Sequence, residues 1–174
     1  EETTTFVIAN GPSVIQGGIP GTPQIVDLAA TAYAHLGVEI DPAWELDGTP
    51  LPIERTPSTP IRLETADGVS VFGETYGDLA AARAILLLFH QGGANGPVEY
   101  GRIVGRLVER GYAAISIDQR SGGTMLGGHN RTADALGRDV HYCDAYPDLE
   151  ASLAAAREIA GERPVVAWGS SYSG

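Results

Sequence analysis

The sequence holds a single cysteine, Cys143, among 174 residues. One thiol excludes an intrachain disulfide, so cross-links cannot hold this fold and the compartment cannot be read from them. Positive charge is also scarce: 11 basic residues stand against 22 acidic ones, a net charge of −11. Such a deficit argues against nucleic acid or an anionic membrane surface as partner, because both require basic patches. Long apolar runs are missing too. The longest, Ala84 to Phe89, is far too short to span a bilayer. No histidine or carboxylate falls in a ligand spacing such as H-E-x-x-H, which with one cysteine leaves no metal site to expect.

What is present reads as a globular chain of one domain's length, able to bury a sizeable core, 43% hydrophobic and moderately charged. It opens at Glu1-Glu2 and not at methionine. We therefore expect that a leader or other upstream residues were removed, and a secreted or periplasmic origin stays open with the localisation otherwise unassigned. Residues 1–60 are rich in proline and glycine, with one helical patch from Gln24 to Leu36 (Ile25, Leu28, Ala29, Ala32 and Leu36 at helical spacing). Pro50, Pro52, Pro57 and Pro60 then impose an extended connection. This stretch reads as an N-terminal extension wrapping the domain that follows.

From Ile61 the pattern becomes regular. Ile61–Thr65 and Val69–Glu74 alternate around an Asp67-Gly68 turn, which predicts a hairpin. Ala84–Phe89, Ala113–Ile117 and Pro164–Trp168 read as buried strands, separated by helices over Tyr100–Arg110 and Leu149–Ile159. Strand–helix–strand alternation of this kind predicts an α/β fold: a mostly parallel sheet flanked by helices, opening with an antiparallel hairpin.

Each buried strand runs into a loop at its carboxyl end, where open α/β sheets place ligands. The last loop is Gly169-Ser170-Ser171-Tyr172-Ser173-Gly174. A nucleophilic serine needs a sharp strand-to-helix turn with small residues two places either side, and Gly169 and Ser173 flank Ser171 in that way. Ser173 stands where the usual G-x-S-x-G pattern has glycine. A serine-rich turn capping a helix would read the same. The first loop, His90-Gln91-Gly92-Gly93-Ala94-Asn95-Gly96, can aim backbone N–H groups at a developing oxyanion, with Gly92 as donor, Gly93 as its close alternative and the Tyr172 N–H as the second donor. His90, Gln91 and Gly93 would line the pocket. A phosphate-cradling turn fits those glycines as well. In the middle loop, Asp118-Gln119-Arg120-Ser121-Gly122-Gly123, Asp118 and Arg120 read as braces between loops, and the glycine-rich continuation from Gly127 to Thr132 as pocket wall.

The three loops in this order resemble the α/β-hydrolase superfamily, nearest to its dienelactone-hydrolase-like and serine-esterase branches, over roughly residues 61–174. The resemblance implies the α/β-hydrolase fold, a serine nucleophile at Ser171, oxyanion donors at Gly92 and Tyr172, a structural role for His90, a small acyl substrate and no cofactor. It further implies that an acid and a histidine follow the nucleophile in the chain. Only three residues follow Ser171 here. His35, His129 and His141 are poorly placed to serve, His129 the best of them. We therefore expect a companion chain or segment to supply the acid, the histidine and the remaining strands. Without them the third strand would be an apolar unpaired edge. Three rivals stay open: an amide or peptide hydrolase on the same fold; a non-catalytic binding relative; and a nucleotide-binding module, since Gly169–Gly174 matches the start of G-x-x-x-x-G-K-[ST].

Overall fold

The chain divides into two units, Glu1–Arg55 and Thr56–Gly174, and the computed structural model describes residues 6–11, 14–15, 18–19, 21–125 and 127–174. The first unit carries one helix, α1 (Asp27–His35). The Asp27 carboxylate accepts hydrogen bonds from the N–H groups of Gln24 (2.8 Å) and Thr49 (2.9 Å), and Thr31 Oγ1 accepts one from Leu51 N–H (2.9 Å). These contacts cover the face bearing Asp27, Ala30 and Thr31, which are its buried residues. The apolar stripe read from the spacing therefore lies on the other side: Ile25, Leu28 and Leu36 are exposed. Polar side chains that seize the returning backbone have decided which face is covered.

The second unit is a five-stranded sheet with helices on both faces. In chain order it comprises β1 (Ser58–Glu64), β2 (Ser70–Tyr76), β3 (Ile85–Phe89), α2 (Gly96–Glu109), β4 (Ala113–Ile117), α3 (Arg131–Leu136), α4 (Tyr146–Ala160) and β5 (Val165–Gly169). Across the sheet the order is β1-β2-β4-β3-β5. The expected hairpin forms, β2 runs antiparallel to β4, and β3 lies parallel to both β4 and β5. Pro60 sits within β1 opposite Glu74, which an edge strand tolerates because its outer N–H positions need no partner.

The period-2 alternation of β3 builds two cores at once. Ile85, Leu87 and Phe89 face α4 and pack with Ala156, Ala160 and Ile115. Leu86 and Leu88 face α2 and pack with Tyr100, Val104 and Ala114. Burying each large apolar side chain contributes roughly 1.5–3 kcal/mol. The strand is covered on both sides, as its unbroken apolar run requires.

β5 departs from the buried strand expected from its composition. It pairs only with β3 among the described residues, and Val166 and Trp168 are 47% and 45% exposed. The helix α2 begins earlier than its apolar spacing suggests, because Asn95 caps it by accepting the Val98 N–H (3.2 Å) and Pro97 stands in its first turn.

Candidate active site

The chain leaves β3 through α2 to β4 on one flank, then crosses back through α4 to β5 on the other flank of β3. At such a switch point the two connections leave a crevice at the carboxyl ends of the strands. The three loops singled out in the sequence meet here.

Ser171 stands two residues past the end of β5 and adopts φ +56°. This is one of two positive-φ residues other than glycine among the described residues. An L side chain in that region costs of order 1–3 kcal/mol and persists only where surroundings enforce it. The enforcement is visible at Gly169, where a Cβ would lie 1.8 Å from the Ser173 carbonyl oxygen. Only glycine lets the backbone double back so closely. Ser171 is exposed, and its hydroxyl has no hydrogen-bond partner among the described residues. Ser173, standing where a glycine is usual, is held differently: its Oγ donates to the His90 carbonyl (2.8 Å) and accepts from the Gln119 amide (3.0 Å).

In the first loop, the Gly93 N–H donates to the Ser121 carbonyl (3.2 Å) and the Ala94 N–H to the Gln91 carbonyl (3.2 Å). Gln91 N–H donates to the Glu99 carboxylate (2.8 Å). Of the N–H groups from Gln91 to Ala94, that of Gly92 alone makes no hydrogen bond among the described residues, and the Tyr172 N–H makes none either. Of the two glycines that sequence left as alternatives, Gly92 is the one with a donor to spare.

His90 is fully buried. Its Nδ1 lies 2.8 Å from the Gln91 carbonyl, and its Nε2 accepts the Gln119 N–H at 2.9 Å. The two contacts together assign the neutral ring with the proton on Nδ1. Burial pushes its pKa below the ordinary histidine value, which agrees with a neutral ring. Both nitrogens are committed, so His90 braces the first loop against the second. The exposed His129 lies 3.7 Å from Asp134, and His141 Nδ1 accepts the Cys143 N–H (3.4 Å). None of these rings reaches Ser171.

The second loop holds the other two in place. Gln119, fully buried, donates through Nε2 to Tyr172 Oη (2.8 Å) as well as to Ser173, and Ser121 Oγ also contacts the Tyr172 hydroxyl. Asp118 accepts the Gly96 N–H (3.1 Å) and Arg131 Nε (2.7 Å), tying α2 and α3 to β4. Arg120 is a strut: it donates through Nε to Asp148 (2.8 Å) on α4 and through its terminal nitrogens to Asp67 (2.5 and 2.9 Å) in the hairpin turn.

The Arg120 guanidinium beside Asp67 holds that carboxyl well below the usual carboxylate range, with the Thr65 hydroxyl adding to the effect. Asp148, sealed from water, is pushed upward by burial. For Asp67, the unfolded chain takes up its proton near pH 4 while the folded chain still resists it. Its stabilising contribution is thus complete above about pH 5 and lost progressively below. Asp67→Asn should lower stability near neutrality, and its deficit against the native protein should shrink as the pH falls from 6 to 3 in denaturant titrations. A constant deficit would dissociate Asp67 from the ion pair.

A cleft of about 650 Å³ opens beside this network, lined among others by Ser121, Gly123, Thr124, Arg138 and Asp139. It reaches the candidate nucleophile's neighbourhood through Ser121. Neither Ser171 nor His90, Gln91 or Gly93 lines it, nor do Gly127–Thr132; the Gly127 carbonyl instead accepts the Asn95 amide (2.9 Å), while Thr132 Oγ1 accepts the Phe72 N–H (3.0 Å). Those segments are used in packing and capping. Among the described residues no helix is long and apolar enough to cross a membrane, and no group of three potential metal ligands stands together.

The fold recurs in solved structures. The chain is similar to a highly thermostable carboxyl esterase from Bacillus coagulans, with a TM-score of 0.53 at 19% identity over 67% of this chain and 37% of that one. This chain has the α/β-hydrolase fold. A lipase in its open form (TM-score 0.52, 20% identity, 67% and 37% covered) and an α/β hydrolase from Penicillium sp. sh18 (0.50, 16%, 67% and 38%) are similar in the same way. At such identities the likeness is one of fold. No protein-family model matches the sequence, and a comparison with curated proteins finds no match. The chain spans about two fifths of the length of these solved α/β-hydrolase-fold proteins.

Proposed function

We propose that this chain carries the nucleophile and the oxyanion donors of a serine hydrolase that cleaves carboxylic esters through an acyl-enzyme. The observation that carries the reading is Ser171 itself: exposed, at φ +56°, two residues past the end of a strand, over a glycine that admits no side chain. A turn that only capped a helix would need neither the strain nor the bare hydroxyl.

Ser171 Oγ attacks the ester carbonyl carbon, and the carbonyl oxygen gathers negative charge. The N–H groups of Gly92 and Tyr172, both unspent, are the donors that receive it. The intermediate collapses, the alcohol departs, and water releases the acid from Ser171. A serine hydroxyl needs a base oriented by an acid. With His90 committed to its two partners, a histidine and a carboxylate on a companion chain or segment fill those roles.

The test is covalent capture. The full-length gene product, incubated with a fluorophosphonate and digested, should carry one adduct, on the peptide containing Ser171. Aryl esters should turn over faster than aminoacyl amides. An active preparation whose Ser171 peptide stays unmodified would sink the reading. Activity from a single 18.2 kDa species would remove the companion from it.

A further inference from the structure

Tyr142 heads the short 3₁₀ turn Tyr142–Ala145 that precedes α4. The turn is fixed at its start, because His141 accepts the Cys143 N–H (3.4 Å) while Asp144 accepts the His141 N–H (2.9 Å). Reciprocal capping of this kind sets the direction in which the chain enters the turn. From there the Tyr142 ring reaches across the switch point and stacks on Tyr172, with centroids 4.7 Å apart and planes 27° from parallel. It also rests against Gly92: a Cβ on that glycine would lie 2.8 Å from Tyr142 Cζ and 2.9 Å from its hydroxyl oxygen. The ring therefore touches both residues whose N–H groups are free.

Packing alone does not explain the hydroxyl. It has no hydrogen-bond partner among the described residues, and the side chain is 53% exposed. Phenylalanine would stack on Tyr172 and cover Gly92 equally well. The phenol group is held by the stacked Tyr172 ring and by Gly92, so little motion is left to freeze when it meets a ligand, and its hydroxyl stands beside Gly92.

We infer that the Tyr142 hydroxyl is a third donor to the carbonyl oxygen attacked by Ser171, acting with the N–H groups of Gly92 and Tyr172. As the Oγ–carbon bond forms, the carbonyl π pair moves onto oxygen, and the Ser171 proton passes to the histidine assigned to the companion segment. The phenol keeps its proton and donates a hydrogen bond to the new oxyanion. When the pair returns to carbon the alcohol leaves with the proton from that histidine, and the phenol is unchanged. A neutral O–H aimed at developing charge is most effective in the transition state and weak toward the ground-state ester. The inference rests on the serine-hydrolase reading above.

Tyr142→Phe separates the two ideas, because it keeps the ring contacts and removes only the hydroxyl. In the full-length gene product, kcat for p-nitrophenyl acetate should fall about 10²-fold with KM nearly unchanged. Phosphonylation of Ser171 by a fluorophosphonate should slow in parallel, while the final extent of labelling stays complete. Tyr142→Ala should lose at least as much. If native protein labels at Ser171 and Tyr142→Phe turns over within about twofold of it, the hydroxyl is not a donor and the parent reading survives. A rise in KM at constant kcat would assign the hydroxyl to ground-state binding and overturn the oxyanion role. Absence of Ser171 labelling in the native protein would overturn both.

Discussion

Replacing Ser171 by glycine is expected to make the protein more stable than replacing it by alanine, while either change lowers kcat by about 10⁶-fold. The two variants lose the same hydroxyl and differ in backbone freedom. Alanine keeps an L side chain at φ +56°, and glycine adopts that conformation without penalty. The residue is exposed and its hydroxyl bonds to nothing among the described residues, so neither change forfeits burial or a hydrogen bond. We expect glycine to exceed alanine by about 1 kcal/mol, less than the full strain because glycine also loosens the unfolded chain. Denaturant midpoints of the paired variants measure the difference, and ester turnover measures the activity. Equal midpoints would mean that the turn is not strained. Turnover near the native rate in either variant would remove Ser171 as nucleophile.

How much of this was legible in the sequence depends on the range over which each signal acts. The β3 run and the loop glycines are local, and the strands and loops stand nearly where composition put them. Caps are local too. The early start of α2 was written in Asn95 and Pro97, and the six residues of α3 lie between a capping Asn130 and Gly137 at φ +66°. Six residues are too few to show a period, so the caps were the only cue. The strand order was not legible. Nothing in the α4 segment states that β5 will return to the far side of β3, since that follows from packing α2 and α4 on opposite faces. The apolar stripe of α1 misled because hydrogen bonds to Asp27 and Thr31 outweighed it. At the site, the choice between Gly92 and Gly93 turned on which N–H the Ser121 carbonyl had claimed. Tyr142, Asp67 and Asp148 bear on the site only through distant contacts, and single-chain spacing carries no trace of them.

Arg120→Ala is expected to be the most destabilising single change in the sheet unit, by about 3–5 kcal/mol. Its side chain is 3% exposed and its partner Asp148 fully buried, while Asp67 is 45% exposed. Removing the guanidinium returns Asp67 to water at little cost and leaves Asp148 as a buried carboxylate without its counter-charge. Asp148 would still accept the Arg120 backbone N–H, now at 2.7 Å. Adding Asp148→Asn to the alanine variant should therefore recover about 1 kcal/mol or more, because an amide oxygen keeps that acceptor and carries no charge to desolvate. The loss should also reach Ser171. Arg120 lies between Gln119 and Ser121, the two residues that hold Tyr172 and Ser173, so slack in the strut passes one residue along the chain to the Ser171 turn. Slower phosphonylation of Ser171 in the still-folded fraction is the expected sign. Urea midpoints on the single and double variants decide the first point. A loss below about 1 kcal/mol for Arg120→Ala would show that the buried pair is no stronger than an exposed one, and that the three loops are held by their other hydrogen bonds.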